Sequence, residues 1–440
     1  PKPQTPNPKP QPLNCVRYEF KKEPLLYMKY IGKNVRKLAE TTISRKYTSL
    51  TLSSPARQST PVYQLLDNKG VPLEKNIEAS KGELEVLKKV FYQMIDIETV
   101  DDILNKSQRQ GRISFYMTSF GESGTIIGSA AGLSNDDMIF CQYREKAILL
   151  WRGFSLTDLA NNCIGNIKDN TKSRQMPIHF SNKNLSFFSV SSPLATQLPH
   201  AAGYGYGLKM RNEQKIAVGF MGDGSASEGD FYAALNFAST LKSQTLFICR
   251  NNGYAISTPI CEQTTGDGII SKAQAFDMKS IRVDGNDAFA VYRAVQNLRE
   301  YILSEKKPAF LEAMTYRVGN HSTSDDSSFY RSQAEIDKWR LENNPMTRLK
   351  NFLTLQGVLE KDLEEQISER KNETRNKIMR EMKLAEELEL PSIESMFDDV
   401  YQDIPPHLVE QKEELLAHIK KYEAEYRKSY ALDRFQKLNK

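Results

Sequence analysis

Two hydrophobic patterns divide the chain. Between about residues 138 and 317, short runs with apolar centres alternate with helical stretches: MIFCQ (138–142), KIAVGF (215–220), TLFICRNN (245–252), KSIRVDG (279–285) and PAFLEAMTYR (308–317). Strands that do not alternate apolar with polar positions are buried on both faces, which predicts a doubly wound α/β fold around a mostly parallel sheet. Upstream, SKGELEVLKKVFYQMIDIETVDDIL (80–104) predicts a helix. Ser80 and Glu83 have capping-box spacing, and Leu84, Leu87, Phe91, Met94 and Ile95 recur on one face. After about residue 335 the chain turns highly charged, and Leu359, Leu363 and Ile367 are spaced by four, as are Ile378 and Met382. That spacing predicts solvated amphipathic helices facing a partner. The pattern gives three regions: 1–59, a segment without a core; 60–335, the α/β domain; and 336–440, a helical, subunit-facing extension.

Composition changes the picture mainly at the N-terminus. PKPQTPNPKPQP (1–12) is too proline-rich to build a core. Between Met28 and Ser59 lie seven basic residues and one acid, Glu40, among many serines and threonines. This is the composition of an organellar transit peptide, with Met28 as a candidate initiator; a basic tail is the competing reading. Elsewhere, 60 basic and 55 acidic residues leave a net charge of +5, too balanced to indicate nucleic-acid binding. No apolar run approaches the ~20 residues of a membrane-spanning helix. The five cysteines (15, 141, 163, 249 and 261) include no CxxC pair and mostly sit in apolar runs, so buried reduced thiols are expected.

Few motifs carry chemistry. GYGYG (203–207) follows no strand and is read as helix packing, not as a dinucleotide loop. His179 and His200 are read as structural, and His407 and His418 as surface residues. MGDGSASEGD (221–230) is different. It follows the strand KIAVGF, turns at Gly222–Asp223–Gly224, and enters a helix on which Phe231, Leu235 and Ala238 share a face. A helix N-terminus seats phosphate, but an acid there would repel it unless a divalent cation lies between them. Alone, the stretch fits a structural turn as well as a site. The next strand ends in Arg250–Asn251–Asn252, with 26 residues between GDG and NN. Parallel neighbours would bring Asp223 and Asn252 to one sheet edge, where a carboxylate, an amide oxygen and a carbonyl suit Mg²⁺ completed by phosphate oxygens.

GDG followed by NN at this spacing resembles the fingerprint of thiamine diphosphate enzymes. Further stretches, among them SQRQGRISFYMTSFGESG, YREKAILLWRG, SSPLATQLPHAAG, CRNNGYAISTP, YRVGNHSTSDDSSFYRS and DVYQDIP, resemble the alpha subunits of branched-chain 2-oxo acid dehydrogenases, from about Pro61 to Phe435. Pyruvate dehydrogenase alpha subunits share GDG, NNGY and the histidine–serine loop and form the alternative. They typically carry Asn-Gln in the first motif and a proline soon after the Ser-Asp of the loop. A non-catalytic subunit retaining the fold is a third reading.

The resemblance implies Mg²⁺ held by Asp223, Asn252 and the Tyr254 carbonyl. It implies a thiamine diphosphate site made by Tyr143, Arg144, Arg250, Gly224 and Ser225, with Ser192 and Leu194 packed near the cofactor. It implies K⁺ at Ser191, Pro193, Thr196 and Gln197; a proline turn with satisfied hydroxyls is the other reading of that loop. His321 would be catalytic, hydrogen-bonding the phosphates or intermediate and orienting the acyl acceptor. Asn320 stands where many members have a second histidine, and Asp223 where many have glutamate. Ser322 and Ser332 match inhibitory phosphorylation positions, which implies a kinase and a phosphatase. The activating glutamate has no candidate in this chain and would come from a beta subunit in an α₂β₂ tetramer. That tetramer would dock on a lipoyl-bearing acyltransferase core in the mitochondrial matrix.

Overall fold

The computed structural model describes residues 59–360, 363–397, 399–427, 430 and 432. The proline-rich start, the residues up to 58 of the stretch with transit-peptide composition, and Cys15 lie outside them.

Among the described residues there are eight short strands: β1 Val62–Tyr63, β2 Met138–Phe140, β3 Ala217–Gly222, β4 Thr245–Asn251, β5 Tyr254–Ala255, β6 Thr258–Pro259, β7 Lys279–Asp284 and β8 Ala309–Met314. Six of them form one sheet in the order β1-β7-β8-β4-β3-β2, with every pair parallel. β4 is buried at all seven positions, and β3 and β8 at all but the last, as both-face coverage requires. Helices cover the two faces. One cluster packs Ile126, Ile127, Phe289, Val291 and Val295 against one side; a second gathers Leu198, Phe231, Leu235, Ala238 and Phe247 on the other. β5 and β6 form a separate antiparallel ribbon just past the end of β4.

The helix Lys81–Arg109 has the capping box its sequence predicts, with both Ser80 and Glu83 engaged. GYGYG lies inside the helix Gln197–Met210. A Cβ at Gly205 would fall 2.2 Å from Thr245 Oγ1, so this glycine lets the helix close on the start of β4 and binds no phosphate. Cys141, Cys163 and Cys249 are buried, whereas Cys261 is exposed.

The C-terminal stripe departs from expectation. Leu359, Leu363, Ile367, Ile378 and Met382 are buried in the main hydrophobic cluster, and the helix Glu364–Glu386 packs on Lys81–Arg109 and Leu156–Ile164. Four-residue apolar spacing marks a covered face without saying what covers it; here the chain's own helices do.

Candidate functional site

β3 and β4 run side by side with Gly222 opposite Arg250. Their carboxyl ends open into a cavity of about 780 Å³, shared with the segment after β2, the β5–β6 ribbon and the loop after β8. Tyr143, Arg144, Ser192, Leu194, Asp223, Gly224, Ser225, Arg250, Asn252, Tyr254 and His321 all line it. Residues predicted from stretches more than a hundred positions apart thus meet in one place. Ser191, Pro193, Thr196 and Gln197 do not line it; they form the adjoining loop, where Thr196 Oγ1 donates to the Pro193 carbonyl at 3.2 Å.

Past Gly222 the backbone forms a short 3₁₀ turn, Asp223–Ser227, before the helix Gly229–Leu241. Asp223 is buried, and its Oδ2 accepts one hydrogen bond, from Gln263 Nε2 at 2.9 Å. Burial raises its carboxyl above the ordinary range, and Gln263 offsets this only in part. Asn252 Oδ1 accepts from the Tyr254 amide at 3.2 Å, and the Tyr254 carbonyl accepts from Arg317 Nη1 at 3.2 Å. The set comprises one under-compensated carboxylate, one amide oxygen and one carbonyl, all hard oxygen donors that suit Mg²⁺. Among the described residues no cluster of three or more His, Cys, Asp or Glu could hold a metal; a site built on a single carboxylate is not such a cluster.

Arg250 lines the cavity, as its sequence position suggests, and has a second task besides. It is buried, its Nη1 donates to Glu122, and its Nε donates to Glu145 Oε1 at 2.5 Å. Burial by itself would lower its pKa, but Glu145 and Glu122 hold it above the usual arginine value. For Glu122 burial pushes upward, yet Arg250 and Arg144 bring its carboxyl below the normal range. Arg250 thus neutralises two buried carboxylates while it lines the cavity. Two more arginines line the cavity, Arg144, whose Nε lies 3.7 Å from Glu122 Oε1, and Arg317.

Those two arginines converge on His321. Arg144 Nη2 lies 3.1 Å from Nδ1 and donates to the His321 carbonyl at 2.8 Å; Arg317 Nη1 lies 3.4 Å from Nδ1. Arginine only donates, so Nδ1 accepts and the proton resides on Nε2. Burial and the two guanidinium charges push the imidazole down to about 3. His321 is therefore a neutral Nε2–H donor at neutral pH. The loop is pinned by Asp325, whose Oδ2 accepts from the His321 amide at 2.7 Å and from the Tyr330 hydroxyl at 2.6 Å. Ser322 Oγ accepts from the Ser324 amide at 3.2 Å, and Ser332 Oγ caps the helix Gln333–Glu342.

Several participants were not legible in advance. Gln142 ties the strand ends together: its Oε1 accepts from the Gly222 amide at 2.7 Å and its Nε2 donates to Ser225 Oγ at 2.9 Å. His179, read from sequence as structural, lines the cavity. Its Nδ1–H meets the Pro177 carbonyl at 3.1 Å, which leaves Nε2 to accept from the Ser192 hydroxyl at 2.8 Å. Phe115, Met117 and Met176 join Leu194 as an apolar wall. Gln142 and Glu145 flank the Tyr143–Arg144 pair and Arg317 lies four residues before His321, so adjacency to the motifs was their one sequence signal. Phe115 and Glu122 lie in a stretch that carries the family resemblance, SQRQGRISFYMTSFGESG, but nothing in it marks them as site residues.

A mostly parallel sheet whose strand ends gather these groups defines a cofactor-binding α/β enzyme subunit, and the chain belongs to the dehydrogenase E1 component family, whose sequence profile matches residues 92–394. Among its relatives are the proteins named 2-oxoisovalerate dehydrogenase subunit alpha, mitochondrial. That of Mus musculus is 45% identical over 378 residues, covering 86% of this chain and 84% of the relative. That of Caenorhabditis elegans is 46% identical over 367 residues, 83% of this chain and 84% of the relative. Subunit alpha 1 of Arabidopsis thaliana is 46% identical over 368 residues, 83% and 77% respectively.

Proposed function

We propose that this chain is the alpha subunit of a branched-chain 2-oxo acid dehydrogenase, the thiamine diphosphate-dependent component that decarboxylates 3-methyl-2-oxobutanoate and related acids. The observation that carries the reading is the convergence of Asp223 and Asn252, from adjacent strand ends, with Arg144 and neutral His321 in one cavity that also has an apolar wall. The names of the relatives favour the branched-chain substrate over pyruvate. Thiamine diphosphate, when bound, supplies the carbanion-stabilising chemistry. Asp223, Asn252 and the Tyr254 carbonyl would hold Mg²⁺ against its diphosphate. Arg144 and the Nε2–H of His321 would meet anionic oxygens and orient the acyl acceptor. Phe115, Met117, Met176 and Leu194 would exclude water around a branched aliphatic side chain. K⁺ at the Ser191–Gln197 loop is supported by Gln197 Oε1, a buried amide oxygen without a partner; a weakly charged oxygen donor set suits a monovalent cation.

The activating glutamate is assigned to a beta subunit, and the acyl group to a lipoyl-bearing acyltransferase core. A subunit-facing role for the 336–440 region is supported by the exposed Met396, Val400, Tyr401, Ile404 and Val409. Mitochondrial location follows the relatives' names and the composition of residues 28–59. The test is reconstitution with thiamine diphosphate, Mg²⁺ and the beta subunit: turnover of 3-methyl-2-oxobutanoate well above pyruvate is expected. A preference for pyruvate, or no turnover of either, overturns the reading.

Phosphorylation of Ser322 by a kinase, reversed by a phosphatase, belongs to the same proposal, with Ser332 as a second position. About −1.5 to −2 charge next to His321 would repel Asp325 and loosen the bond that pins the His321 amide. Ser322→Glu is expected to lower reconstituted activity by about tenfold or more, a loss of one charge-assisted hydrogen bond. Wild-type activity in that variant would count against it.

A further inference from the structure

Behind the cofactor site lies a second cavity, of about 380 Å³, on the far side of the segment that carries Glu122. Its walls include Glu98, Gly121, Tyr316, Trp339 and Asn343. Glu98 is its one acid. It makes no hydrogen bond or salt bridge among the described residues, and burial pushes its carboxyl up to about 7, with Asp101 adding to the rise and Lys371 too weak to offset it. Asp101, one helical turn away, is already satisfied by Lys146 at 2.9 Å and by Tyr116 and Ser119. The basic residue at the cavity, Arg340, is more than half exposed and leans on Asp337 at 3.4 Å. Trp339 stacks on Tyr316 with centroids 5.0 Å apart and parallel planes, and no cation lies over its ring among the described residues.

A half-buried carboxylate that makes no ion pair among the described residues, lining one cavity with a tryptophan ring, is the chemistry that recognises an organic cation, by a charge-assisted hydrogen bond together with cation–π attraction. The volume suits a guanidinium or ammonium head with a short methylene stem and is small for a larger ligand. We propose that this cavity is a receptor for an alkylguanidinium or alkylammonium group, with Glu98 as counter-ion and Trp339 as the stacking face. Such a group can come from a free amine or guanidine or from a lysine or arginine side chain of a partner subunit. The site's position gives it a route to the cofactor pocket. Gly121, at φ +88° with Tyr316 O only 2.2 Å from where a Cβ would stand, locks this wall directly to Glu122, the partner of Arg250.

The chain has two tryptophans, Trp151 and Trp339, so Trp151→Phe leaves Trp339 as the single reporter. Titrating that full-length variant with n-butylguanidinium chloride is expected to shift or quench Trp339 emission, while the neutral isostere n-butylurea does nothing. Glu98→Gln, which keeps the shape, is expected to weaken the response at least about tenfold, the loss of one hydrogen bond to a charged group. Adding the beta subunit separates the sources; this arm alone rests on the functional reading above. Occlusion of butylguanidinium in the assembled complex, with weaker assembly by Glu98→Gln, assigns the cation to a partner side chain. A cavity still open to butylguanidinium in the complex assigns it to a free cation. Equal responses to butylguanidinium and butylurea, or a response unchanged by Glu98→Gln, overturn the proposal whether or not the reconstituted complex is active.

Discussion

Asp223→Ala is expected to abolish Mg²⁺-dependent retention of thiamine diphosphate while leaving the chain folded. Among the three proposed metal ligands it is the only charged one, and Asn252 and the Tyr254 carbonyl already serve other bonds. Loss of an outer partner of a metal ligand costs about 10–100-fold in affinity, so loss of the ligand itself should cost at least about a hundredfold. Stability should move in the opposite direction. The folded-state pKa of Asp223 is raised above its usual 3.8, so the folded chain holds that proton more tightly than the unfolded one. The stability this gives is complete below the unfolded value and is lost as pH rises through the folded value. At neutral pH the metal-free fold therefore carries the cost of a buried carboxylate, which alanine removes. The metal-free variant should melt no lower than wild type, and Mg²⁺ with cofactor should raise the melting temperature of wild type alone. Calorimetric titration and thermal melts check both arms; wild-type Mg²⁺ dependence in the variant would remove Asp223 from the site.

The centre of the sheet was legible because strands buried on both faces cannot hide in a sequence: β3, β4 and β8 coincide with largely apolar runs, whereas β7, KSIRVD, is polar at four of its six positions. The meeting of the two proposed metal ligands was legible for a related reason. Asp223 and Asn252 sit just beyond the ends of two such runs, so parallel pairing alone brings them together. What stayed hidden was the support. Arg250 reads as a phosphate-gripping cation because its partners, Glu122 and Glu145, lie 128 and 105 residues away, and no spacing rule connects them. His179 reads as one more structural histidine until the fold turns it toward Ser192. The amphipathic stripe from Leu359 to Met382 records that one face is covered, but whether by this chain or by another is a tertiary fact. Periodicity reports burial; the identity of the neighbour comes only from the folded chain.

Arg250→Met should separate the two accounts of that residue. If Arg250 chiefly gripped phosphate, its loss would lower cofactor affinity and leave the cofactor-free chain as stable as before. Its guanidinium instead neutralises two buried carboxylates, both inaccessible to solvent. Removing one member of a buried ionic cluster leaves uncompensated charge in a medium of low polarity and costs about 3–5 kcal/mol. The cofactor-free variant should therefore unfold at markedly lower urea, or fold only with Glu122 and Glu145 protonated and so only in acid. Adding Glu122→Gln and Glu145→Gln to Arg250→Met removes the stranded charges while keeping the side-chain shapes, and should restore a large share of the lost stability, since replacing a whole buried ion cluster is often close to neutral. Urea midpoints of the single and triple variants decide between the accounts. An unchanged midpoint for Arg250→Met would return Arg250 to the phosphate-binding role its sequence position suggests, and a triple variant no more stable than the single one would show that the cost lies in lost packing, not in the two carboxylates.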